Sequence, residues 1–267
     1  MDTKSSMTLR YLESQEVFTL DEFLADVDPA VAERTRYKNL QNALARDQAY
    51  RVKRGLYASN LGMYRDRVPN VLLVAAKAAP DAVVSHHSAL EAHGVAHTPF
   101  RTVYFTSAHK VVDFQARGYR FRRVAPPSVS DPGFTIEETL TRRRVGEVII
   151  DVTTKERTLV DCLRDLSLAG GLEELLRSLG GFTSMSAARV AQYAESLASP
   201  TLTARAGWVM ELFAERWHLD TTVLERMQQS AGRGTYRLLP GAASQEFVSA
   251  WRLYVPADVP IEQWVRG

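Results

Sequence analysis

The sequence predicts an α+β fold divided between a small N-terminal domain and a larger mixed domain whose C-terminal half is rich in helix. Three observations predict it. Before position 60, apolar residues recur at helical spacing in short blocks and then flank a glycine turn. Between 82 and 152, several runs are rich in β-branched and aromatic residues, as strands require. From Leu172 onward the apolar spacing is mostly helical, and 267 residues with 45% hydrophobic content suffice for two cores.

Ser5 or Ser6 is placed to cap a first helix ending near Ser14, with Met7, Leu9, Tyr11 and Leu12 as its apolar surface. Thr19 and Glu22 have the spacing of a capping box, which opens a second helix over 20–26. In that helix Leu20, Phe23, Leu24 and Val27 fall on one face. Asp28-Pro29 breaks the chain, and the third helix starts either near Ala32 or at Pro29 with Asp28 as its cap. Tyr50, Val52 and Leu56 suggest two short strands about Lys53-Arg54-Gly55, where glycine takes positive φ without steric penalty. The polar stretch after Tyr57 reads as a linker, so the expected domains are 1–67 and 68–267.

Beyond the linker, 68–79 is expected to be a buried helix and 82–85 a strand; a short helix over 87–94 ends at Gly94. Strands are expected over 101–107, 119–124 and 145–152, with 125–133 a loop. Thr153-Thr154-Lys155-Glu156 repeats the capping-box pattern ahead of a helix that buries Leu159, Val160, Leu163 and Leu166. Helices follow over 172–179, 184–197, 202–217 and 221–230, and strands over 236–239 and 251–255 close the chain.

Charge is concentrated in one place. The chain carries a formal net charge of only +2, yet 34–54 holds seven cations against the single anion Asp47. Leu40, Leu44, Ala43 and Tyr37 are expected on the packed face of the third helix, and Arg34, Thr35, Lys38 and Asn42 on the other. Arg36 and Arg46 belong to the same basic stretch. Arg51, Lys53 and Arg54 stand at the hairpin, where phosphates can be met. A helix of this kind on a supporting helix, followed by a basic hairpin, reads as a winged helix-turn-helix that binds DNA. Asn42 suits adenine, and Arg34 or Lys38 suits guanine.

Other chemistries find less support. Cys162 is the only cysteine, which leaves neither a disulfide nor a thiolate zinc site. His86, His87, His93 and His97 lack carboxylates at ligand spacing; 86 and 87, read as strand residues, would face opposite ways, so packing and helix-capping roles are expected and no metal or other cofactor. Glu147, Asp151 and Lys155 resemble a nuclease centre in composition only, because Lys155 lies past a capping box on the next helix. Gly170-Gly171 and Gly180-Gly181 lack the lysine and hydroxyl of a phosphate-binding loop. The N-terminal stretch has no signal-peptide core and 71–79 is too short to span a bilayer, so a cytoplasmic protein without membrane contact is expected.

Four landmarks, in order, are RVKRGLYA, VVSHHSALEAHGV, TTKERTLVDCLRDL and the terminal YRLLPG followed by WRLYVP. On these the chain resembles the AbiEi-type antitoxins and transcriptional regulators of bacterial type IV toxin-antitoxin systems. The resemblance implies an N-terminal domain that binds repeat sequences in promoter DNA and represses its own operon. It also implies a C-terminal antitoxin domain that counters a nucleotidyltransferase-like toxin, without enzymatic activity of its own. Two rival readings are a plain winged-helix transcription factor with a ligand-sensing C-terminal domain and a nucleic-acid-processing enzyme. A second basic cluster, Arg117, Arg120, Arg122 and Arg123 with Arg142 to Arg144, is assigned to the C-terminal domain. There Arg120 and Arg122, which alternate with Phe121, are expected to share one face of a strand, and that face is either a solvated sheet face or one that extends the DNA contact or meets an acidic partner.

Overall fold

The computed structural model describes the backbone of residues 3–266 and the side chains of 7–266. Along the chain run α1 (Thr3–Ser14), β1 (Val17–Thr19), α2 (Leu20–Asp26), α3 (Glu33–Ala45), β2 (Ala49–Lys53), β3 (Leu56–Ser59), α4 (Val71–Ala76), β4 (Val83–Val84) and α5 (His86–Ala92). Then come β5 (Thr102–Thr106), β6 (Phe114–Ala116), β7 (Tyr119–Val124), β8 (Leu140–Val145), β9 (Val148–Thr153) and α6 (Lys155–Arg164). The remainder is α7 (Leu172–Leu179), α8 (Ala187–Ser196), α9 (Pro200–Leu212), α10 (Ala214–Trp217), α11 (Thr221–Ala231), β10 (Tyr236–Arg237), β11 (Gln245–Val248), β12 (Leu253–Pro256) and α12 (Ile261–Arg266). The fold is mixed α+β, and no described helix is long and apolar enough to cross a membrane.

Two compact units share the chain. The first takes Met1–Ala82, Arg101–Val124 and Arg144–Ile150; the second takes Val83–Phe100, Ala125–Arg143 and Asp151–Gly267. The chain therefore passes back and forth between them, where the sequence suggested one crossing near Arg67.

In the first unit, Leu12, Phe18, Phe23, Leu40, Ala43 and Tyr57 form one core beneath α1, α2, α3 and an antiparallel sheet of order β1-β3-β2. Tyr11 meets both Phe18 and Phe23 edge-on at 5.4 Å between centroids, a geometry that suits the ring quadrupoles. The expected capping box is complete: Thr19 accepts from the Glu22 amide at 3.2 Å, and the Glu22 carboxylate accepts from the Thr19 amide at 2.7 Å. α1 opens at Thr3, ahead of the expected Ser5 or Ser6 cap, whose side chains lie outside those described. The stretch read as a linker is tied down, because Asn60 donates to the Asp47 carbonyl at 2.8 Å and accepts from the Asp66 amide at 2.8 Å. α4 is shorter than expected, opening only where Asn70 caps the Leu72 amide at 3.0 Å. A further sheet segment pairs β5 with β7 in parallel and β7 with β6 antiparallel, with Phe114 stacked on Phe121 at 4.8 Å.

In the second unit, Leu159, Leu163, Leu175, Leu176, Val190, Val209, Phe213 and Trp251 belong to one large core built mainly by α6, α7, α8, α9 and α11. Thr154, not Thr153, caps α6 through the Arg157 amide at 3.3 Å, and Thr153 instead turns its hydroxyl to Thr158 at 2.7 Å. Glu156, displaced by one position from the expected box, accepts from the Ser186 amide at 3.2 Å. The helix expected over 202–217 breaks at Phe213 into α9 and α10. β10 and β12 pair in parallel, and β11, absent from the sequence reading, joins the far side of β12. Trp251 lies on Gly207 of α9, where a methyl group would collide with the indole.

Candidate nucleic-acid interface

The start of α3 decides which side chains it presents. Asp28 takes φ 47°, a turn closes from the Val31 amide to the Asp28 carbonyl at 2.9 Å, and Ala32 is the N-cap without a side-chain bond. The helix thus opens at Glu33, the first of the two alternatives. Leu40 and Ala43 are buried, whereas Arg34, Thr35, Lys38, Gln41 and Asn42 are exposed. At about 100° per residue, positions 34, 38, 41 and 42 fall within one arc of the helix. Gln41 is missed by the sequence reading, although the same periodicity that groups Arg34 with Lys38 includes it. Tyr37, expected on the packed face, is 44% exposed and flanks that arc.

Arg36 differs from the other cations. It is half-buried, and its guanidinium donates to the Leu24 carbonyl in the last turn of α2. That bond satisfies a helix-end carbonyl otherwise without a partner in its own helix, and it makes Arg36 a strut between α2 and α3, not an exposed contact. Arg46 is exposed at the C-cap of α3.

The hairpin carries the second group. Gly55 takes φ 80°, and its carbonyl accepts from the Leu20 amide at 2.9 Å, which fastens the turn to the start of α2. Arg51 and Arg54 are exposed, but Lys53 is half-buried with its ammonium 5.9 Å from the centroid of Phe114. Burial lowers the Lys53 pKa from its ordinary value. The structure therefore leaves Arg51 and Arg54 as the open cations of this hairpin.

The β6–β7 hairpin packs on the same surface. Arg117, at its turn with φ 49°, places its guanidinium 4.3 Å from the ring centroid of Tyr50 on β2. Arg120 and Arg122 both reach Asp113, at 3.2 and 3.3 Å, and their side chains remain 53% and 43% exposed. The shared face expected of Arg120 and Arg122 is thus present. The sequence assigns them to 68–267; in the structure they fall in the first compact unit, together with α3 and β2. Arg123 is spent on the Ser107 carbonyl at 2.9 Å.

The remaining candidates sit elsewhere. His86 and His87 open α5 and do not alternate on a strand; His87 pairs with Glu174 at 3.0 Å and stacks on Phe100 at 3.8 Å. His93 bonds the Thr153 carbonyl and Arg143, both at 2.8 Å. Among the described residues no three His, Cys, Asp or Glu side chains gather as a metal ion would require. Glu147 faces Arg144 at 3.3 Å, while Lys155 donates to the Ser184 carbonyl at 2.6 Å. No family model matches this chain, and no curated protein does.

Proposed function

We propose that 17–59, resting on α1, is a winged helix and that the protein is a double-stranded-DNA-binding regulator of the AbiEi antitoxin kind. The single observation that carries the reading is the exposed arc of Arg34, Lys38, Gln41 and Asn42 on α3, built on one core with the hairpin that exposes Arg51 and Arg54. The order helix, strand, helix, helix and two hairpin strands is what a winged helix requires. In this reading α3 enters the major groove, Arg34, Thr35, Lys38, Gln41 and Asn42 meet base edges, and Arg46, Arg51 and Arg54 hold phosphates. The second unit is the proposed seat of antitoxin activity toward a nucleotidyltransferase-like toxin, without catalysis, and that half of the reading rests on the resemblance alone. A cytoplasmic site of action follows from a DNA partner.

Binding to a promoter duplex and to a random duplex, followed by fluorescence anisotropy across a salt series, tests the DNA half. Arg51→Ala with Arg54→Ala should weaken both duplexes alike and reduce the salt slope by roughly 0.9 for each phosphate no longer neutralised. Asn42→Ala should cost about 1–3 kcal/mol on the promoter only. No binding by the unaltered chain to either duplex overturns the proposal. Rescue of growth from a co-expressed neighbouring toxin tests the antitoxin half.

A further inference from the structure

We propose that the second unit holds a binding site for a small zwitterion, namely a free amino acid with an apolar or aromatic side chain, in a cavity of about 320 Å³ at the start of α6 beside α8. Its centre is Arg157, whose side chain is only 3% exposed. The guanidinium is fixed on two sides: Nε donates to Asp161 Oδ2 at 3.1 Å and Nη1 to Thr139 Oγ1 at 3.0 Å. Asp161 is itself held, since its Oδ1 accepts from the Tyr193 hydroxyl at 2.7 Å. Among the described residues nothing hydrogen-bonds Nη2, and Arg157 lines the cavity. A guanidinium fork anchored this way loses little freedom on taking a carboxylate.

Charges of both signs line the same space: Arg157 is paired with Asp161 behind the cavity wall, and no ion pair among the described residues engages Arg189, Glu138 or Glu156. Arg189 stands with Arg157, and Glu138 and Glu156 stand opposite in sign, yet none of the ion pairs among the described residues joins these arginines to these glutamates. A dianion such as phosphate would meet the two carboxylates, and a simple amine would meet the two guanidiniums. A ligand that carries one charge of each sign satisfies both groups. The apolar part of the lining is Phe134 and Tyr193, whose rings lie 5.8 Å apart between centroids. The volume is at the small end of ligand sites, about 300–1,000 Å³, which favours one amino acid over a nucleotide.

Isothermal titration of the full chain with L-phenylalanine, L-tyrosine, L-leucine and the other common L-amino acids tests this without DNA. The expected result is sub-millimolar binding of at least one amino acid with an apolar or aromatic side chain. If that is L-phenylalanine, 3-phenylpropanoate, 2-phenylethylamine and inorganic phosphate should each bind about tenfold more weakly or worse. Arg189→Ala and Glu138→Gln, both at exposed positions, should each weaken binding by about tenfold with the thermal midpoint unchanged. Arg157→Lys should abolish binding; should it fail to fold, the two exposed variants still decide. Absence of heat with every amino acid, equal binding of an analogue that lacks one charge, or binding indifferent to both exposed variants overturns the proposal.

Discussion

His93 shows how a single side chain in the second unit can carry a pH response. A carbonyl can only accept and a guanidinium can only donate, so the bonds to Thr153 and Arg143 require Nε2–H and a bare Nδ1. The neutral ring is therefore the form the fold wants. Burial lowers the His93 pKa; the Thr153 carbonyl opposes this, and Arg143 reinforces it. His86 is lowered in the same direction, chiefly by burial. An unfolded histidine titrates near 6.5, and each tenfold loss of proton affinity on folding is worth about 1.4 kcal/mol. Between the folded and unfolded values the unfolded chain binds more protons, so stability rises with pH in that window. The thermal midpoint should accordingly fall as the pH is taken from about 7 to about 5. His93→Gln, which keeps a donor for Thr153 and an acceptor for Arg143, should flatten that fall. An equally steep fall in the variant would put the dependence elsewhere. The sequence reads these histidines as packing groups, yet a carboxylate does stand near one of them, since Glu91 lies four residues after His87 and 3.5 Å from its Nδ1; the Arg143 partner of His93 is not legible, since it lies fifty residues away in the chain.

Elements were legible where their signals are local. The Thr19 and Glu22 pair fixes the start of α2 because both halves of the box lie within four residues. At α6 two adjacent threonines fit the same pattern, and the tertiary bond from Ser186 to Glu156 decides between them. β6 and β8 escaped notice for a different reason: they are short or carry Arg142, Arg143 and Arg144 in succession, which hides any alternation. α9 illustrates a constraint that only packing reveals. Gly207 lies inside the helix, where glycine alone costs about 1 kcal/mol relative to alanine, and it is tolerated because Trp251 rests against its bare Cα. The indole is also held at its other end, with Nε1 donating to Glu211 at 2.6 Å. Gly207→Ala should therefore destabilise by about 1–3 kcal/mol despite its better helix propensity. Chemical denaturation would measure it, and a gain in stability would show that Trp251 can move aside.

At the scale of the molecule, α+β character was readable from composition and periodicity, but the partition into units was not. A cut near Arg67 follows from a polar stretch, whereas the first unit recruits Arg101–Val124 through contacts that no local pattern announces. One such contact is the Arg117 guanidinium on the Tyr50 ring. The consequence reaches the proposed function, because the recruited hairpin brings Arg120 and Arg122 into the unit that carries α3. Asp113 neutralises only part of this pair, leaving two partly exposed guanidiniums beside one carboxylate. If DNA lies along the α3 face and extends over this hairpin, Arg120→Gln with Arg122→Gln should weaken promoter and random duplex alike. The salt slope should then fall by roughly 0.9 for each phosphate that these arginines neutralise. Glutamine keeps most of the stem and avoids setting a new carboxylate next to Asp113, so folding should be retained. An unchanged slope, with the slope of the Arg51 and Arg54 variant still reduced, would confine the duplex to α3 and the β2–β3 hairpin and return Arg120 and Arg122 to the role of a solvated face.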